Sequence, residues 1–78
     1  MSEPNTTFIK DKEPSLEKMQ EMVGGYIEMM TLVDGSQMIM NEEGNLRDLP
    51  ENVQASEIAM RRIVGDVLIL QGSARMSN

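Results

Sequence analysis

Cysteine, histidine and tryptophan are absent from this 78-residue sequence, and tyrosine and phenylalanine occur once each. Without cysteine there can be no disulfide and no thiolate metal site. Without histidine the commonest neutral metal ligand and the usual general base are missing, so a serine or threonine nucleophile has no imidazole to activate it. Lysine bases remain, but Lys10, Lys12 and Lys18 are interleaved with Asp11, Glu13 and Glu17 in a charged stretch that offers nothing to desolvate them. The glycine pattern of a phosphate loop is missing too: Gly24-Gly25 is followed neither by a third spaced glycine nor by Lys-Ser. No catalysis and no cofactor are expected.

Positive charge is also scarce. Seven basic residues stand against thirteen acidic ones, for a formal charge of −6. Nucleic-acid binders displace phosphate counterions with clustered Lys and Arg, and the only adjacent basic pair here is Arg61-Arg62, so DNA or RNA is not an expected partner. Long apolar runs are lacking: the longest aliphatic stretch, residues 67–70, falls far short of a membrane span. The first residues are polar and acidic, with no basic n-region and no apolar h-region, which predicts no secretory leader and a cytoplasmic location. A chain this short buries only about 60% of the surface exposed by its unfolded form. With disulfides and histidine–metal staples excluded, self-association is the expected extra source of stability.

Nine methionines stand where aromatics are few. Methionine is unbranched and soft, so it fills irregular gaps in a core and also suits adaptable surfaces. The chain reads as one α+β domain, a small three- to four-stranded, mostly antiparallel sheet with two short helices on one face. Residues 1–14 form a mobile N-terminal segment with material for a short strand at 6–9; residues 15–71 form the domain; residues 72–78 are a polar tail. Ser15 is a good N-cap, Leu16, Met19 and Val23 recur at helical spacing, and Gly24 supplies a left-handed stop, giving a helix over 16–23. From Tyr26 the period becomes extended, with large apolar groups on both faces, which predicts a central strand. Asp34-Gly35 predicts a two-residue hairpin turn, with a return strand from Gln37 and a second turn at Asn41-Glu42-Glu43-Gly44 that uses Gly44 as an αL position. Asn52 is a plausible cap for a second helix with an apolar stripe of Ala55, Ile58, Ala59 and Ile63, closed by Arg61 and Arg62 in its last turn. The aliphatic run after Gly65-Asp66 predicts a buried strand.

Glu42, Glu43, Asp48 and Glu51 gather near the loop that follows the hairpin. The run lacks the alternating acidic ligands and terminal glutamate of a calcium loop, so it reads as solvated and no metal is expected. Tyr26, directly after Gly24-Gly25, reads as a strand residue with its hydroxyl at the sheet margin.

Four motifs, Val23-Gly24-Gly25-Tyr26-Ile27-Glu28, Asn41-Glu42-Glu43-Gly44, Leu49-Pro50-Glu51-Asn52 and the stretch from Ile63 through Gly65-Asp66 to Ile69, occur in this order over residues 16–70. The arrangement resembles a family of small, functionally uncharacterised domains found mainly in bacteriophages and other mobile elements. The resemblance implies a phage-type accessory protein that binds and redirects a host protein or neutralises a defence system in the host bacterial cytoplasm, and it implies no catalytic residues. The residues expected to contact that partner are Tyr26, Asn41, Glu42, Glu43, Asp48, Glu51 and Asn52. Two alternatives belong to other classes: an oligomeric sponge for a nucleotide signal, and a minor virion or assembly component. A homo-oligomer, most simply a symmetric dimer, is expected in addition to the host partner.

Overall fold

The computed structural model describes residues 3–76. Four strands form one sheet in the order β1-β4-β3-β2, where β1 is Thr6–Ile9, β2 Ile27–Thr31, β3 Gln37–Asn41 and β4 Val67–Leu70. β1 lies parallel to β4, and the other two neighbouring pairs are antiparallel. The chain is thus an α+β domain whose first strand completes the sheet.

The first helix, α1, spans Leu16–Val23 as its caps dictate. Ser15 Oγ accepts from Lys18 N–H at 3.1 Å, and Gly24 closes the helix at φ 83°. Met19 and Val23 are its buried residues. They pack on Ile39, Leu68, Leu70 and Ala74, with Ile9, Met22, Ile27 and Met76 around them. The second helix, α2, spans Val53–Ala59 and lies on the opposite face, where Ala55 packs with Met38, Met40, Ile63, Val67 and Ile69. The expectation that both helices share one face is therefore corrected: alternate residues of β3 and β4 feed two cores, and each face has its own helix.

β4 is buried at every position and β3 at four of five, so these two strands are central. β2, read from the sequence as central, is an edge strand. Its apolar residues on both faces reflect a helix on each side of the sheet, and Glu28, Met29 and Thr31 remain exposed.

The hairpin from β2 to β3 is present, but its turn is built differently from the expected two-residue turn. Gly35 N–H donates to Leu32 O at 2.9 Å and Leu32 N–H to Ser36 O at 2.7 Å. Val33 and Asp34 therefore occupy the centre of the turn, and Gly35, at φ 89°, is the left-handed residue that follows them. Asp34 has no positive φ; its carboxylate instead accepts from Ser36 N–H at 2.9 Å. Gly44 is likewise not left-handed. It is needed because a Cβ there would come within 2.7 Å of Val64 Cγ2.

α2 stops one turn short of the expected helix. Met60 caps it at φ 57°, leaving Arg61, Arg62 and Ile63 outside. The chain has to turn back here, because Glu51 and Val64 form a bridge that leads into β4. Ser56 fixes the return: its hydroxyl accepts from Ile63 N–H at 2.8 Å and donates to Ile63 O at 3.1 Å. After β4, Gly72–Ala74 form a short 3-10 turn that buries Ala74, and Gln37 exchanges two hydrogen bonds with the backbone of Met76. Among the described residues no helix is long and apolar enough to cross a membrane.

Candidate functional site

The strand registers bring the starts of β1, β2 and β4 and the end of β3 to one end of the sheet. A shallow cleft of about 280 Å³ opens there, and its walls draw on all four sequence motifs: Val23-Gly24, Asn41, Leu49-Pro50 and Gly65-Asp66. Glu3, Pro4 and Asn5 close one side and Arg47 another.

Two asparagines hold this end together. Asn41 Nδ2 donates to Val23 O at 3.1 Å, tying β3 to the end of α1, while its Oδ1 accepts from Glu43 N–H at 2.7 Å and shapes the following turn. Asn52, 1% exposed, accepts through Oδ1 from Ala55 N–H at 3.0 Å and from the Thr6 hydroxyl at 3.1 Å. Its Nδ2 donates to Asn5 O at 3.2 Å and to Gly65 O at 3.1 Å. One buried side chain thus caps α2 and joins the starts of β1 and β4. Both residues were expected to contact a partner; both are instead buried within the fold.

The other five expected residues are exposed around the same end. Tyr26, 69% exposed, precedes β2, and its carbonyl accepts from Glu42 N–H at 2.9 Å, so Tyr26 and Glu42 are direct neighbours. Glu43 and Asp48 lie in the turns after β3, with Asp48 at φ 54°, and Glu51 sits at the bridge before α2. Among the described residues the side chains of Tyr26, Glu42, Glu43, Asp48 and Glu51 have no hydrogen-bond partner, and the one ion pair, Lys18 to Glu21 at 3.9 Å, lies elsewhere.

Arg47 and Asp66 were not among the expected site residues. Arg47 Nη1 donates to Gly24 O at 2.8 Å, placing a cation on the carbonyl end of α1 and clamping the loop to the helix. A Cβ on Gly25 would come within 3.0 Å of Asn41 Nδ2 and 3.3 Å of Arg47 Nη1, so the second glycine makes room for both contacts. Asp66 Oδ1 accepts from Asn5 N–H at 2.7 Å and sets the start of β1 beside β4. The signal for Asp66 was the Gly-Asp pair before the strand; for Arg47 the sequence carries no comparable signal, because its partner is a backbone carbonyl 23 residues away.

Chemically, this end offers a small cleft and, on the turns beside it, exposed carboxylates and one phenol. Among the described residues no group of three or more acidic side chains is placed to hold a metal ion. A family described as a domain of unknown function (DUF3846) matches residues 1–77. No curated protein and no solved structure matches the chain.

Proposed function

The chain belongs to the DUF3846 family, and we propose that it is a non-enzymatic accessory protein of the bacteriophage type, which binds a host protein through the acidic end of its sheet and modulates it in the host cytoplasm. The observation that carries this reading is the division of labour at that end. Asn41 and Asn52 are consumed by the fold, whereas Tyr26, Glu42, Glu43, Asp48 and Glu51 lie exposed at the same end of the sheet, outside the lining of the cleft, with side chains that the fold does not use. Four carboxylates without cation partners complement a basic protein surface, and an aromatic beside them supplies rigid contact area. The resemblance to small mobile-element domains supplies the biological setting.

A nucleotide sponge is less well supported. Small-ligand pockets usually enclose roughly 300–1,000 Å³, whereas this cleft measures about 280 Å³. Its arginine is already held by the Gly24 carbonyl.

Affinity capture from bacterial lysate tests the proposal. The expected result is one stoichiometric host protein that elutes as ionic strength rises, since solvated carboxylates lose their attraction under screening. A co-purifying nucleotide without a protein would favour the sponge, and recovery only within particles would favour a virion component.

A further inference from the structure

β2 is the outer strand at one edge of the sheet. Tyr26 O accepts from Glu42 N–H and Leu32 N–H donates to Ser36 O, so the even-numbered residues of this strand bond to β3. The N–H and C=O groups of Ile27, Met29 and Thr31 consequently point away from the sheet, in line and, among the described residues, without a neighbouring strand. Edge strands are usually protected by lysine, proline or a bulge. Residues 27–31 contain none of these, and they carry a methionine that is 43% exposed. The opposite edge differs. There Val67 N–H donates to Asn5 O and Gln71 N–H to Ile9 O, which leaves Thr6 and Phe8 facing outward in a strand bounded by Pro4 and Lys10.

We infer that the open edge of β2 docks a second copy of this chain, strand against antiparallel strand, on a two-fold axis through Met29. In that register Ile27 pairs with Thr31 of the other copy and Met29 with its own equivalent, and each pair exchanges two backbone hydrogen bonds. Between them Glu28 faces Met30 of the other copy, and Tyr26 faces its Leu32. The charges favour this register. Arg61 Nη1 already sits 3.8 Å from Met30 Sδ, so the facing Glu28 meets a guanidinium, twice by symmetry. Moving the axis to residue 28 would oppose Glu28 to Glu28, which like-charge repulsion disfavours. The same pairing covers Met29 and sets the exposed Tyr26 ring against an apolar neighbour. Because the two β2 strands run in opposite directions, the two acidic ends point away from each other and the dimer is bivalent. The dimer does not depend on the host-binding role and can stand or fall separately from it.

Sedimentation equilibrium of the full chain tests the inference. The mass of the wild type is expected to rise from 8.8 kDa toward twice that value across the micromolar range. Met29→Lys places two ammonium groups together on the axis and is expected to stay monomeric with an unchanged circular dichroism spectrum. Glu28→Lys is expected to weaken the dimer about tenfold, and adding Arg61→Glu to restore it, the scale being that of two partly exposed ion pairs. A wild type that remains at 8.8 kDa, a Met29→Lys dimer, or a failure of Arg61→Glu to rescue Glu28→Lys would each overturn it.

Discussion

Asn52 uses both halves of its amide on backbone and hydroxyl partners from three separate segments. Replacing it with alanine removes an N-cap, at about 1 kcal/mol, and strands the buried Gly65 carbonyl, at about 1–3 kcal/mol. Asn52→Ala is therefore expected to lower the melting temperature by roughly 10 °C or more, given about 4–8 °C per kcal/mol in a domain of this size. A shift of a degree or two would show that the asparagine is not structural. Asp34 gives a second residue-scale expectation. The Ser36 backbone N–H, and then the Ser36 hydroxyl, hold its carboxyl below the ordinary value of 3.8. A folded value below the unfolded one adds stability that is full above about 3.8 and fades as pH falls through the lower folded value. Asp34→Asn keeps an acceptor for Ser36 but cannot titrate. In acid melts below pH 4 the variant should lose less stability than the wild type, and parallel curves would dismiss the contribution.

At the scale of elements, the starts of helices were legible and the ends less so. Ser15 and Asn52 cap α1 and α2 with side-chain oxygens, and such caps are local chemistry readable from a few adjacent residues. The end of α2 depends on Ser56 gripping Ile63 and on the bridge to Val64, contacts formed only when the chain returns. Strand existence was legible from periodicity and composition, but strand position was not. Apolar residues on both faces of β2 reflect a helix on each side of the sheet, which the alternation alone does not separate from a central location. The turn illustrates the same limit, since Asp34-Gly35 located the hairpin while the bonds to Leu32 showed that only Gly35 is left-handed. Gly35→Val is expected to cost about 1–3 kcal/mol, because a β-branched residue is forced into positive φ. Chemical denaturation with an unchanged midpoint would contradict that assignment of the turn.

At the scale of the molecule, the candidate site divides along burial. The seven expected residues come from turns that stand out in polarity, and the fold brings those turns to one end of the sheet. The sequence did not separate Asn41 and Asn52 from the carboxylates, since an asparagine at a turn looks the same whether its amide faces solvent or a buried carbonyl. The account turns on the claim that the exposed carboxylates serve recognition and not folding. The most direct measurement compares capture by the wild type with capture by the triple variant Glu42→Lys, Glu43→Lys, Glu51→Lys, with folding followed by circular dichroism and thermal melting. Each position is exposed and free of side-chain bonds, so surface substitution should move stability by no more than about 0.5 kcal/mol apiece. The account predicts a folded variant that no longer retains the host protein held by the wild type. A folded variant that retains the same protein in the same amount would contradict it.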